Sequence, residues 1–217
     1  MERKIRRFDP VFEKMYEAAH SGLLGDLQVI KLTTRDSPKP SYEFLKNADP
    51  SGCNIISDLA VHDIDLSVWL TGSQEPESVY VVTHCHDDFL KTIDQPDTLA
   101  MVLKYKNGII TTMDVSRDSA YGYDIRIELF GSKGMATAEN PRQLSSVIDV
   151  SDGGKMTPYH HSFPQRFEKA FENEITHFVD CLDGKTTPLV TKSQCLIVAG
   201  IIEKAVKSYK ENRPIRF

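Results

Sequence analysis

A carboxylate and an imidazole on one predicted helix are the residues best suited to do chemistry. Asp58 and His62 lie four apart in DLAVHDIDLSVWLTG (58–72), and Asp65 follows at the next turn. In an α-helix these three positions share one face. The other residues are apolar nearly all the way round, which indicates a buried helix. Burying ionisable groups is costly unless they are paired, so this polar face needs an explanation.

Two explanations fit the spacing of this pair. Asp58 and His62 form either a hydrogen-bonded network inside the core or a proton-transfer dyad that lines a cleft. In the second case His62 acts as acid or base, and Asp58 orients the imidazole and favours its charged form. The spacing by itself leaves both interpretations open.

A metal site is a competing interpretation for a different stretch. His84 and His86 lie on one face of a predicted strand, and Asp87 and Asp88 follow. Imidazole and carboxylate groups together can hold zinc. These residues stand where a strand runs into a loop, however, and polar residues are ordinary there. We therefore expect no metal site.

Arginine and tyrosine residues supply further candidate binding groups. Arg6, Arg7 and Arg35 either bind an anionic group or are simply solvated. Tyr121 and Tyr123 flank a glycine at the start of a predicted strand. Their hydroxyl groups either hydrogen-bond a polyol or cap the edge of the sheet. Taken residue by residue, these alternatives stay open.

The composition is that of an ordinary globular protein. The 217 residues carry a net charge of −5, with 40% hydrophobic and 26% charged residues. The acidic balance argues against nucleic acid as a partner, and no apolar run approaches the ~20 residues that span a membrane. The four cysteines include no C-x-x-C pair, so neither a disulfide framework nor a zinc knuckle is indicated. We expect a cytoplasmic protein with reduced thiols.

Hydrophobic periodicity divides the chain into helices and strands. The spacing predicts helices over 8–21, 58–72, 164–184 and 193–212. It predicts strands over 27–34, 78–86, 98–106, 109–117, 124–131 and 144–150. The stretch 36–54, with three prolines, is predicted to be a long loop. Asn107-Gly108 predicts a hairpin with a type I′ turn.

This order of elements predicts an α+β fold in a single domain. Consecutive strands joined by hairpins form an open, mainly antiparallel sheet, and helices grouped before and after them pack on one face. A parallel sheet would need alternating βαβ units, which are absent. The sequence has no G-x-G-x-x-G, and GSKG (131–134) lies between two strands, so it is interpreted as a turn.

Several stretches together resemble the C-terminal domain of the Gfo/Idh/MocA oxidoreductases, most closely the myo-inositol 2-dehydrogenases. They are RRFDPVFEKMYEAAHSGLLGDLQVIKLTTRD, SDLAVHDIDLSVWLTG, YGYDIRIELFGSKGMA, RFEKAFENEITHFVDCLDGKTTPLVT and the closing NRPIRF. The resemblance covers residues 1–217. It implies a dihydrodipicolinate-reductase-like C-terminal domain that oxidises a secondary alcohol of a polyol or sugar, with NAD or NADP as the family's cofactor.

The resemblance also implies roles for individual residues. Asp58 and His62 match the catalytic aspartate and histidine, and His62 would take the proton of the substrate hydroxyl as hydride leaves for the cofactor. Arg6 matches an arginine of the substrate pocket, and Tyr123 is the favoured tyrosine of that pocket. Arg35 is a further candidate substrate-binding residue, because arginine side chains commonly bind anionic or polar groups.

One part of the family pattern is missing from this sequence. Relatives carry a preceding Rossmann domain with a glycine-rich loop and an E-K-P motif whose lysine belongs to the catalytic group, and neither stretch occurs here. We therefore expect that this chain alone binds no NAD(P) and is inactive. The alternative is a non-catalytic module, derived from the same family, that forms homo- or hetero-oligomers.

The strand patterns also predict an oligomer. Tyr80 and Val82 alternate with Val79 and Val81, so apolar residues occur on both faces of that strand. A solvated sheet face should be mostly polar, and large exposed apolar patches usually mark interfaces. We expect a homo-oligomer, most simply a dimer, joined through the exposed face of the sheet.

Overall fold

The computed structural model describes residues 4–47, 55–151 and 153–217. A short 3-10 helix, Ile5–Phe8, precedes the first α-helix, and a π-helical segment, Ile55–Ala60, precedes the third. The α-helices are α1 (Pro10–His20), α2 (Tyr42–Asn47), α3 (Val61–Leu70), α4 (Asp88–Thr92), α5 (Phe163–Arg166), α6 (Glu168–Leu182) and α7 (Lys192–Glu211). In this described part of the chain, no helix is both long enough and apolar enough to cross a membrane.

Nine strands account for the β structure of the described residues. They are β1 (Leu27–Arg35), β2 (Pro76–His84), β3 (Thr98–Tyr105), β4 (Ile110–Ser116), β5 (Asp124–Gly131), β6 (Met135–Ala138), β7 (Val147–Val150), β8 (Gly153–Met156) and β9 (Ile215–Arg216). Seven of them form one sheet in the order β6-β5-β1-β4-β3-β2-β9, and β7 pairs with β8 separately.

The predicted α+β fold with a mainly antiparallel sheet is confirmed. The pairing differs from a simple run of hairpins at one place, because β1 lies between β4 and β5. It pairs parallel with β4 and antiparallel with β5. Strands β4 and β5 follow each other in sequence, but in the sheet β1 lies between them.

Some predicted elements differ from the structure in local details. The loop predicted over 36–54 contains the short helix α2, and its residues 48–54, Cys53 among them, lie outside the described residues. The helix predicted over 164–184 is interrupted at Phe167, between α5 and α6. The strand predicted over 144–150 is shorter, beginning at Val147.

The turn at Asn107-Gly108 lies at a hairpin tip as predicted, but it is not type I′. That type needs positive φ at both central residues, and here Gly108 has a φ of 91° while Asn107 is not among the positive-φ residues. The Gly108 N–H donates to the carbonyl of Tyr105, and the Tyr105 N–H donates to the carbonyl of Ile109. This geometry matches a three-residue loop whose last residue is a left-handed glycine.

One face of the sheet forms the core. In β3 the buried residues Leu99, Met101 and Leu103 alternate with exposed ones, and the other long strands repeat this pattern. Helices α3 and α7 pack against this face. Nearly every side chain of α3 is buried, and Ser67 in its centre hydrogen-bonds the hydroxyl groups of Tyr105 and Thr111, at 2.6 and 2.8 Å. This explains why the helix sequence is apolar all round.

Two buried ion pairs fix the start of the chain to α3. Arg7 binds both oxygens of Asp65, through Nε at 2.9 Å and Nη2 at 2.7 Å. Arg6 pairs with Asp63 and also donates to the hydroxyl of Thr34 at 3.0 Å. Buried charges are tolerated when they are paired and hydrogen-bonded. Two of the aspartates of the α3 motif therefore serve to hold the Arg6-Arg7 segment in place.

Candidate active site

A cavity of about 330 Å³ lies where the start of the chain, the π-helical segment, the end of β1 and helices α5 and α6 meet. Its polar lining residues are Arg6, Asp36, Asp58, His62 and Tyr123, and its apolar lining residues are Ile5, Leu59, Phe163, Phe167 and Phe171. The cavity thus combines ionisable groups with aromatic rings. Such a combination suits a small polar ring compound with apolar C–H faces.

The π-helical segment positions Asp58 relative to His62. A π-helical turn contains more residues than an α-helical turn, so it rotates the side chains before it relative to those after it. Asp58 and His62 both line the cavity, as their proposed roles require. Asp65 does not, because it is buried against Arg7. Asp65 is therefore engaged by Arg7 and takes no part in the polar lining of the cavity.

Asp58 is held by a cation that the sequence analysis did not single out. Arg117, directly after β4, donates from Nη1 to Oδ2 of Asp58 at 2.5 Å. The Arg117 side chain is 1% exposed, whereas that of Asp58 is 43% exposed. The Asp58 carboxylate therefore lines the cavity and is also hydrogen-bonded to the buried guanidinium of Arg117.

His62 is partly accessible from the cavity, although most of its ring is enclosed by protein. The pKa of His62 is lowered to about 3, mainly by burial and in addition by the positive charges of Arg6 and Lys4. The imidazole is therefore neutral at pH 7, with one nitrogen free to accept a proton. The expectation that Asp58 favours the charged imidazole is wrong, because burial and these two cations dominate.

Arg6 and Tyr123, the two expected pocket residues, both line the cavity. Arg6 is 2% exposed, and its guanidinium is engaged by Asp63 and Thr34. Tyr123 is 5% exposed, and burial raises the pKa of its phenol to about 12, so the hydroxyl stays protonated. Arg6 thus contributes mainly charge and shape, and Tyr123 contributes a protonated hydroxyl group.

Arg35 lies apart from this cavity. Its guanidinium pairs with Asp114, which lies on the exposed face of β4 between the buried residues Met113 and Val115. The sheet therefore separates Arg35 from the core face, and the assignment of Arg35 to the substrate site is corrected. Tyr121 is also outside the lining and half-exposed, and its hydroxyl donates to Asp124 at 2.6 Å.

Asp36 is a lining residue that sequence reasoning missed. It follows β1 directly, and its Oδ1 accepts from the backbone N–H of Ser37 at 2.9 Å. Burial raises the pKa of its carboxyl, while the Ser37 N–H and the charge of Arg117 oppose that rise. The available signal was a carboxylate directly after a predicted strand.

No metal centre accompanies the cavity in the described residues. The rings of His84 and His86 approach to a centroid distance of 4.6 Å, but no group of three or more His, Cys, Asp or Glu residues among those described could hold a metal ion. The stretch 84–88 forms the end of β2 and the start of α4 instead, with the Asp87 side chain capping α4 through the N–H groups of Phe89 and Leu90.

The glycines of GSKG (131–134) do not form a dinucleotide-binding turn. Such a turn places glycines between a strand and a helix, so that the helix N-terminus meets the pyrophosphate. Here Gly131 and Gly134 connect strands β5 and β6. A side chain at Gly131 would meet the backbone oxygen of Leu24 at 2.2 Å, so this glycine allows contact between two chain segments. The cofactor of the resembling family does not fit this turn.

Comparison with protein families gives one matching domain. The model of the GFO/IDH/MocA C-terminal domain matches residues 12–137, more than half of the chain. The match includes the π-helical segment, α3 and the strands up to β6.

Curated relatives match along nearly the whole chain. The inositol 2-dehydrogenase of Rhizobium meliloti is 31% identical over 97% of this chain, and the myo-inositol 2-dehydrogenase of Thermotoga maritima is 30% identical over 97%. In both cases the match covers 62% of the relative, so this chain spans about three fifths of the length of these relatives. A solved myo-inositol 2-dehydrogenase of Lactobacillus plantarum has a TM-score of 0.89 at 26% identity, over 99% of this chain and 64% of that one.

Proposed function

The chain belongs to the GFO/IDH/MocA family, and on that premise we propose that it is the substrate-side catalytic domain of an NAD(P)-dependent inositol or sugar dehydrogenase. The proposed reaction oxidises a secondary alcohol to a ketone by hydride transfer. The observation that carries the proposal is the cavity that collects Asp58, His62 and Tyr123. The name of a Bacillus subtilis relative, scyllo-inositol 2-dehydrogenase (NAD(+)), supports the reaction class and the cofactor.

The residues of this chain supply the proton side of the reaction. When a secondary alcohol loses hydride, its hydroxyl proton must also leave, and His62 is placed to accept it. The lowered pKa keeps the imidazole neutral at pH 7, so a nitrogen lone pair is available. A base of such low pKa is weak. It becomes effective as the hydroxyl gains acidity on its way to the ketone.

The other lining groups suit the recognition of a polyol. The carboxylates of Asp58 and Asp36 accept hydrogen bonds from hydroxyl groups, and the protonated hydroxyl of Tyr123 donates one. The rings of Phe163 and Phe167 offer an apolar surface for the C–H face of a cyclic polyol. Charge-assisted hydrogen bonds of this kind orient the hydroxyl that is to be oxidised.

The chain by itself is proposed to be inactive. Hydride needs an acceptor, and the glycines of GSKG connect two strands and not a strand and a helix, which supports this proposal. We propose that the cofactor site resides in the portion of the relatives that this chain does not cover, which is 38% of the Rhizobium meliloti protein, the complement of the 62% that it matches.

The second proposed role is assembly, through the open face of the sheet. Four large apolar side chains on that face are 39–49% exposed. They are Val82, Val102, Ile110 and Phe130. Ion pairs such as Lys31–Glu128, at 2.7 Å, lie among them. An exposed apolar patch of this kind is typical of interfaces between subunits. It supports a homo-oligomer, and it fits a non-catalytic module as well as a catalytic domain.

A polyol titration of the chain separates these roles. We expect myo-inositol to shift the NMR signals of the His62 ring and of Tyr123 in a saturable way, with little change at distant residues. The Asp58→Asn variant, which keeps the shape of the side chain, should bind more weakly. Saturable binding at some other surface, or equal binding by Asp58→Asn, would contradict the catalytic role and favour the assembly module.

A further inference from the structure

Arg117 occupies an unusual place behind the cavity. Its side chain is 1% exposed, yet its Nη1 reaches Oδ2 of Asp58, which faces the cavity. Its backbone N–H is fixed by the carbonyl of Asp97, so the residue is anchored at the end of β4. A buried guanidinium with a rigid backbone holds its partner carboxylate in one orientation better than a flexible surface cation does.

Arg117 also affects the pKa of Asp36, the second carboxyl group of the cavity. Three charged groups act on this carboxyl besides its own burial: Arg117 from the end of β4, Asp58 from the π-helical segment and Arg6 from the 3-10 helix. Arg117 and Arg6 lower the pKa of Asp36, and Asp58 raises it. Arg117 therefore acts on both carboxylates of the cavity, by a direct hydrogen bond to Asp58 and through its field on Asp36.

We propose that Arg117 is a positioning residue that fixes the Asp58 carboxylate at the cavity wall. This inference rests on the proposed function, since it assigns the cavity to a polyol. A carboxylate held in one orientation accepts hydrogen bonds from substrate hydroxyl groups in a defined direction. Arg117 thereby sets the geometry of substrate binding without touching the substrate.

The first arm of the test needs no activity and no substrate. In the chain labelled with carbon-13 at its aspartates, the pH titration of the Asp36 carboxyl is followed by NMR. Arg117→Met should raise the pKa of Asp36, because a lowering charge is lost. Asp58→Asn should lower it, because a raising charge is lost. Arg117→Lys, which keeps the charge, should stay near the wild-type value.

Opposite shifts from two neighbouring substitutions would not arise from general damage to the fold. If Arg117→Met fails to fold, the myo-inositol affinity of Arg117→Lys decides the matter, because lysine keeps the charge but not the guanidinium geometry at Asp58, and affinity equal to wild type would overturn the proposal. An Asp36 titration that is the same in wild type and Arg117→Met would also count against the proposal, as would a shift of the opposite sign.

The second arm measures myo-inositol affinity at pH 7. Arg117→Met should bind at least ten times more weakly than wild type, and Arg117→Lys should recover part of that loss. Equal affinity of wild type and Arg117→Met would overturn the positioning role. If wild type binds no polyol, the proposed function fails, and the Asp36 titration still decides whether Arg117 controls the two carboxylates.

Discussion

At the scale of single residues, His62 carries the most specific consequence. Its pKa in the folded chain is lowered to about 3 from the ordinary value of 6.5. Between these two pH values the unfolded chain binds a proton that the folded chain does not. At a pH above 6.5 this group therefore has no effect on the free energy of unfolding. As the pH falls from 6.5 towards 3, proton binding to the unfolded chain lowers the free energy of unfolding.

We predict that His62→Gln loses less stability in acid than wild type does. The substitution removes the group that gains a proton on unfolding. Denaturant unfolding of both proteins at pH 7 and pH 4.5 measures the effect, with the exposed His161→Gln as the matched control. An equal loss of stability in wild type and His62→Gln would contradict the assignment of a buried, neutral imidazole.

The buried pair Arg7–Asp65 gives a second prediction at this scale. Arg7→Met should destabilise the fold by about 3–5 kcal/mol, because it leaves the Asp65 carboxylate buried without its partner. The double variant Arg7→Met with Asp65→Leu should recover most of that loss, since no buried charge remains. Thermal or denaturant unfolding tests this, and additive losses in the double variant would show that the pair does not act as a unit.

Sequence reasoning reached some of these residues and missed others for a physical reason. Asp58, His62, Arg6 and Tyr123 were selected by motif, and all four line one cavity. Arg117 was not, because its contact with Asp58 joins positions 59 residues apart in the chain. Spacing along a helix predicts neighbours within that helix, but it contains no information about which strand end lies opposite.

At the scale of elements, α6 departs from its sequence pattern. Its apolar residues recur at helical spacing, yet four of them are 47–71% exposed. They are Ile175, Phe178, Val179 and Leu182. Periodicity correctly predicted the helix but not which part of its apolar stripe is covered. Periodicity also did not distinguish the π-helical segment Ile55–Ala60 from an α-helix, because its residues have an ordinary helical pattern.

We predict that the exposed stripe contributes little to the stability of this chain. Phe178→Glu should change the free energy of unfolding by no more than about 0.5 kcal/mol, as for other surface positions. Phe167→Ala, at a residue that is 1% exposed, should cost about 3–5 kcal/mol. Denaturant unfolding of the two variants compares them, and a large loss in Phe178→Glu would mean that α6 packs differently.

At the scale of the whole molecule, the sheet combines predicted and unpredicted features. Alternation within each strand predicted which residues share a face, because side chains point to opposite faces in turn. The insertion of β1 between β4 and β5 was not predicted, since nothing in a single strand specifies a distant partner. The order of the predicted elements supplied the α+β class, the pattern of hairpins supplied its mainly antiparallel pairing, and the family resemblance implied the same fold.

The open face of the sheet gives a prediction about assembly. We expect a mass above the 24.5 kDa monomer by light scattering at micromolar concentration. Val102→Lys, at a residue that is 40% exposed, should dissociate the oligomer without unfolding it. Met101→Lys, one residue away on the buried face, should instead abolish folding. A monomeric wild type would refute the interface, and unfolding by Val102→Lys would show that this face belongs to the core.

The most direct test of the central claim measures hydride transfer itself. The part of the Rhizobium meliloti inositol 2-dehydrogenase that this chain does not cover is fused to residues 1–217, and NADH formation from NAD and myo-inositol is followed. We predict turnover by the fusion and none by the chain alone. His62→Gln should lower kcat by about 10²–10⁴-fold, as expected for loss of a general base. Unchanged turnover by the His62→Gln fusion, or NADH formation by the chain alone, would contradict the account.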